Sequence, residues 1–234
     1  MTSPSARGPA GVKSALDKVR EAPGSTKARI LAAAQEVFAA KGFEGASTRE
    51  IAARAEVNIS SLHYHWESKE RLYLAIFERI LQQLVDLLRD EIVIPESPED
   101  ARAVVERAMG LTFDFYVENP TVPRLLMRRL MESDLVEPSE MRATLAPNWK
   151  QFAEWVRSFT ANRLSEKDLS FFMLTVQSVL FVSMLDTPFV REMLGGSIQD
   201  PEVRARVRGQ IVRLVETLIG LDGLQEGAKG GGRE

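Results

Sequence analysis

Residues 48–66 read Thr48-Arg49-Glu50-Ile51-Ala52-Ala53-Arg54-Ala55-Glu56-Val57-Asn58-Ile59-Ser60-Ser61-Leu62-His63-Tyr64-His65-Trp66, and Glu67-Ser68-Lys69-Glu70 follows. Ser47-Thr48-Arg49-Glu50 fits a capping box, in which the Ser47 oxygen accepts the Glu50 amide and the Glu50 carboxylate reaches back to the cap. Ile51, Ala52 and Ala55 then make the buried face of a short helix. Asn58 caps a second short helix through about residue 66, with Leu62 and Trp66 one turn apart and facing inward. Two short capped helices joined by about four residues present the second one to a DNA major groove, where its N-terminal residues meet base edges. Small Ser60 and Ser61 permit close approach, while His63, Tyr64 and His65, with Lys69 near the next helix start, supply phosphate donors.

Outward from this segment the helical grammar continues. Upstream, Ile30, Leu31, Ala34, Val37 and Phe38 form an apolar stripe, and Gly42 followed by Phe43 marks the helix stop. Downstream, Ser68 caps a long helix with Leu72, Ile76, Ile80, Leu84, Leu87 and Leu88 on one side, ending before Pro95. Ser97-Pro98-Glu99-Asp100 opens the next helix, and Asn119-Pro120 and Asp200-Pro201-Glu202 repeat the pattern. Residues 139–163 read as one helix broken or kinked at Pro147. Ser165 caps an apolar helix that runs through Leu185 and is closed by Pro188, and a last helix spans residues 201–221. No segment alternates with the period of a half-buried strand, so the chain is expected to be all-α.

Composition narrows the function. The 234 residues contain no cysteine, which removes disulfides and thiolate chemistry and fits a reducing cytoplasm, and the two histidines are His63 and His65. A His-x-His pair on a helix points to two faces, so it makes a poor metal site, and no cofactor or metal is expected. There is no Gly-rich phosphate loop and no nucleophile elbow, so an enzyme is disfavoured; carboxylate-only catalysis has no motif behind it. The longest uncharged run, residues 169–185, includes Ser170, Thr175, Gln177, Ser178 and Ser183 and falls short of a membrane span, so a buried helix is the better reading. Residues 1–24 lack the apolar run of a secretory signal and carry Arg7, Lys13, Lys18 and Arg20 against Asp17 and Glu21. They read as a mostly disordered arm, as does the tail 222–234.

The segment 25–72 closely resembles the DNA-binding region of the bacterial TetR/AcrR (tetracycline-repressor) family. The matching residues are Arg29-Ile30-Leu31, Phe38, Lys41-Gly42-Phe43, Ile51-Ala52, Ala55, Val57, Leu62, Tyr64-His65-Trp66 and Ser68-Lys69-Glu70. The resemblance implies a helix-turn-helix domain at 25–72 and an effector-binding and dimerisation domain at 73–221. Thr48 and Arg49 would reach DNA, Asn58, Ile59, Ser60 and Ser61 would lie at base edges, and His63, Tyr64, His65 and Lys69 would hold phosphates. It also implies a cytoplasmic repressor that binds a near-palindromic operator as a homodimer, paired through its last two long helices into a four-helix bundle. A small, largely apolar effector within residues 97–194 would release it, through the helix at 68–91. Two positions depart from the family: Glu56 stands at the usual turn glycine, and His63 where an aromatic is usual.

Two further readings bear on function. The module is not basic: over 25–70, Lys27, Arg29, Lys41, Arg49, Arg54 and Lys69 meet Glu36, Glu44, Glu50, Glu56, Glu67 and Glu70, six against six. That balance favours the competing reading of an interaction protein that keeps the fold without specific DNA binding. For the effector, Phe113, Tyr116, Phe152, Trp155, Met173, Gln177 and Phe181 are the pocket candidates. On a helical wheel Ser170, Gln177 and Met184 align, flanked by Met173, Leu174 and Phe181, with Phe172, Val176, Val179 and Val182 on the other side. The expected outcome is one face for a dimer partner and one for the core, with the Gln177 amide marking the ligand site.

Overall fold

A computed structural model describes residues 22–89, 97–131 and 165–221, together with Lys150, Ala153, Glu154, Val156 and Arg157. The N-terminal arm up to residue 21, the tail, and Phe152 and Trp155 lie outside the described residues, as does most of the helix expected at 139–163. Among the described residues all regular structure is helical: α1 (Thr26–Gly45), α2 (Thr48–Arg54), α3 (Ile59–His65), α4 (Lys69–Leu88), α5 (Pro98–Glu118), α6 (Thr121–Met131), α7 (Glu166–Ser183), α8 (Pro188–Leu194) and α9 (Pro201–Leu218).

Seven of these helices start where a side-chain oxygen takes the N3 amide: Ser25, Ser47, Asn58, Ser68, Ser97, Ser165 and Thr187 each accept from the residue three positions on. Each such bond satisfies one orphan donor of the first turn and is worth about 1 kcal/mol. Three starts differ from expectation. The Glu50 carboxylate pairs with Lys41 at 2.7 Å, leaving Ser47 to cap α2 by its hydroxyl. Asn119 closes α5 instead of opening α6, its side-chain amide donating to the Phe115 carbonyl at 2.8 Å. Asp200 makes no side-chain cap bond; its carboxylate accepts the Ser197 amide at 3.1 Å. An Asx side chain is a short donor and acceptor at once, so sequence alone does not say which helix end it serves.

Pro188 does more than end the preceding helix. It sits at the start of α8, capped by Thr187 and closed by Gly195 in the left-handed region at φ 70°. The Asp186 carboxylate ties this corner together, accepting from Arg191 at 2.7 and 3.1 Å, from the Ser197 hydroxyl at 3.0 Å and from the Ile198 amide at 3.3 Å. The Arg191 guanidinium beside it is the main reason its carboxyl is held below the usual aspartate value.

Packing follows from the stripes. Ile30, Leu31, Phe38, Ile51, Leu62, Leu72, Tyr73, Ile76 and Phe77 are fully buried where α1 packs on α2, α3 and α4. Phe38, Phe43, Tyr73 and Phe77 form a chain of ring contacts 4.9–6.0 Å apart. α1 also packs on α6, α5 on α9, and α7 on both α6 and α9, which makes one continuous core. Among the described residues no single helix is long and apolar enough to cross a membrane. α7, expected as a core helix with a second apolar face for a partner, leaves Phe171, Leu174 and Val182 68%, 53% and 45% exposed.

Candidate nucleic-acid interface

α3 is anchored from below and open from above. Leu62 and Trp66 are buried, and the Trp66 ring is held at the start of α1, its indole N–H donating to the Lys27 carbonyl at 3.4 Å and the Lys27 ammonium lying 4.6 Å from the ring centroid. The opposite side carries exposed Asn58, Ile59, Ser60, His63 and Tyr64, with Ser61 and His65 half-buried. Tyr64 is 86% exposed, which removes plain packing as the reason for that residue, and its ring meets His65 edge-on at 5.1 Å. The small residues lie in the first turn, where a helix end entering a groove leads, and the aromatic and imidazole groups lie in the last.

The turn between α2 and α3 has a specific cause. The Glu56 amide donates to Ala53 O and the Val57 amide to Ala52 O, the paired bonds of a Schellman ending, and Glu56 sits in the left-handed region at φ 54°. A glycine would hold that conformation without cost; here a glutamate does. Asn58 then starts α3 at once, its Oδ1 accepting the Ser61 amide at 2.7 Å. With that oxygen used in the cap, the side-chain NH2 is what Asn58 has left for a base. Thr48 is the first residue of α2 and half-buried, whereas Arg49 beside it is exposed.

Several cations of the module are engaged within it. Lys41 pairs with Glu50 and Arg54 with Glu36, both across the α1–α2 contact. The Lys69 ammonium donates to the Phe43 and Ala46 carbonyls at 2.9 and 3.2 Å and lies 4.3 Å from the Phe43 ring centroid, leaving one of its three N–H groups for a phosphate. Among the described residues no acid pairs with Arg49. The sequence points to Lys69 as a phosphate ligand alone; its role in tying α4 to the α1–α2 turn has no local signal, because the two carbonyls lie 26 and 23 residues away.

Of the effector candidates, Phe113, Tyr116, Met173 and Phe181 are all buried in one core, and the Tyr116 and Phe181 rings meet edge-on at 5.6 Å. Burial pushes the Tyr116 hydroxyl well above the usual tyrosine range, so it stays protonated and can donate. Gln177 is half-buried at the rim, between buried Met173 and Phe181 and exposed Leu174 and Ser178. The two faces of α7 are therefore divided differently from the wheel: Phe172 and Val176 join the core, and Leu174 and Val182 face out.

The sequence pattern of the bacterial regulatory proteins of the tetR family matches residues 30–76. The chain is 32% identical to the HTH-type transcriptional activator FasR of Mycolicibacterium smegmatis over 117 residues, half of each protein, and so spans only about half the length of that relative. It is 32% identical to the HTH-type transcriptional repressor Rv3405c of Mycobacterium tuberculosis over 146 residues, 57% of this chain and 76% of that protein. The fold matches a solved tetR-family regulatory protein from Rhodococcus RHA1 with a TM-score of 0.62 at 21% identity, over 85% of this chain and 97% of that one. With the helix-turn-helix geometry and these likenesses in agreement, the chain belongs to the tetR family of bacterial regulatory proteins.

Proposed function

We propose that the protein is a ligand-responsive transcriptional repressor of the bacterial cytoplasm that binds a near-palindromic operator as a homodimer. The observation that carries the DNA reading is α3: a short capped helix buried on one side through Leu62 and Trp66, and bare on the other from Asn58 to Tyr64. In this reading Ile59, Ser60 and Ser61 meet base edges, with Asn58 beside them through its NH2. Arg49 and Thr48 approach from α2, and His63, Tyr64, His65 and Lys69 hold phosphates. The near-neutral module argues for affinity assembled from two half-sites instead of a broad basic surface.

The exposed Phe171, Leu174 and Val182 on α7 support pairing of two chains through α7 and α9, since an apolar stripe left in water favours a partner. The buried group Phe113, Tyr116, Met173 and Phe181, with Gln177 at its rim, is the proposed place for a small, largely apolar effector. A mobility-shift titration with DNA from upstream of the chain's own gene tests the reading. The full chain should retard one fragment at nanomolar to micromolar concentration, and Tyr64→Ala should weaken that shift while its dimer persists. Retardation of all fragments alike, or of none, would favour the fold-retaining interaction protein.

A further inference from the structure

α1 packs on α2, α3, α4 and α6. On one side Glu36 and Lys41 hold α2 at its two ends, through Arg54 and Glu50. On another side α6 grips the same helix at two points. The Arg128 guanidinium donates from Nε to the Ala39 carbonyl at 3.0 Å and from Nη2 to the Ala40 carbonyl at 2.7 Å. One to two turns earlier, the Gln35 amide donates to the Thr121 hydroxyl at 2.8 Å while its carbonyl oxygen accepts from Arg79 of α4.

Each grip has a physical cost that makes its position matter. Gly42 breaks α1 at φ 75°, and the Ala39 and Ala40 carbonyls just before that break accept from Arg128 of a distant helix. Arg79 is largely buried, its guanidinium pushed below the usual arginine range by desolvation, and its Nε is sealed from water with no acceptor. A buried cation whose neutral acceptor is Gln35 has little tolerance for movement of that amide. Beyond Gly42 the chain passes directly into Phe43 and Ala46, whose carbonyls hold Lys69 at the start of α4.

We propose that Arg128, Thr121 and Gln35 are positioning residues of the DNA interface: they transmit the placement of α6 to α1, and α1 carries it through its ion pairs to α2 and through Lys69 to α4. This rests on the DNA reading above and adds a second route beside α4, one that uses α1 as the moving part. Coupling of this kind is reciprocal, so DNA held at α3 must alter α6.

The test is amide hydrogen exchange on the full chain, with and without a duplex recovered by selection from random-sequence DNA. In the wild type the duplex should slow exchange in α2 and α3 and also change exchange in α6 by several-fold. In Arg128→Gln, and in the milder Thr121→Val, the response in α2 and α3 should remain while the DNA-dependent change in α6 disappears. A purely structural role would instead raise exchange in α6 equally with and without DNA, leaving the difference intact, and that result overturns the proposal. A wild type in which α2 and α3 respond and α6 is silent also overturns it. If α2 and α3 themselves do not respond, it is the DNA reading that fails, and the proposal with it.

Discussion

Glu56→Gly should stabilise the protein, although it shortens a side chain and loosens the backbone. Glu56 is exposed and stands at φ 54°, where a Cβ crowds the following carbonyl at a cost of about 1–2 kcal/mol. Glycine removes that cost but adds about 0.4–1 kcal/mol of unfolded-state entropy. The difference favours glycine by about 0.5–1 kcal/mol, and by about 1–4 °C in Tm for a chain of this size. The position lies beyond the last turn of α2, so glycine's poor helix propensity does not enter. Urea and thermal unfolding of the wild type, Glu56→Gly and Glu56→Ala separate backbone from charge, because alanine removes the carboxylate and keeps the Cβ. A lower Tm for the glycine variant, or an alanine variant that gains as much, would refute the strain argument.

Arg49→Ala and Tyr64→Ala should weaken operator binding without unfolding the dimer; a lost base contact costs about 1–3 kcal/mol and relaxes sequence preference, whereas a lost phosphate contact flattens the salt dependence. Titrations at several salt concentrations read both, and unchanged affinity in both variants would remove these residues from the interface. Gln177→Leu should keep the dimer and DNA affinity but shift the effector concentration needed for release; a dissociated dimer or an unchanged response counts against the pocket. Asp186→Asn should lower Tm at pH 7. A carboxylate held below its usual value contributes stability above its unfolded pKa and loses it as pH falls through the folded one, so the gap between wild type and variant should close below about pH 4. A gap that does not narrow at all as pH falls below that point would show that the Arg191 pair is not its source. Leu62→Ala, at a fully buried site under α3, should cost about 2–5 kcal/mol in a denaturant titration, and a cost under 1 kcal/mol would mean that α3 is not anchored there.

The fold is most legible in the sequence where one residue decides one bond. Ser47, Asn58 and Ser68 cap the helices that the sequence assigned to them, and Glu56 adopts the left-handed turn expected of the glycine it replaces. The wheel on α7 found two apolar faces but not which was which, because Phe172 and Leu174 differ only in what packs against them. α8 is not legible in the sequence, though Thr187-Pro188 and Gly195 mark its two ends, because Pro188 reads there only as the stop of the preceding helix. The grips of Arg128 and Gln35 on α1 and α6 lay out of reach for a different reason. They join residues 86–89 positions apart, and no local pattern encodes such a pairing.

Specific DNA recognition is tested most directly by sequencing the DNA that the purified full chain retains from a random-sequence pool. A near-palindrome whose half-sites are spaced by about one helical turn of DNA or a multiple of it should be enriched, and less so with Arg49→Ala. A pool that shows no enriched sequence, or an enriched site with no two-fold relation between its halves, would contradict it.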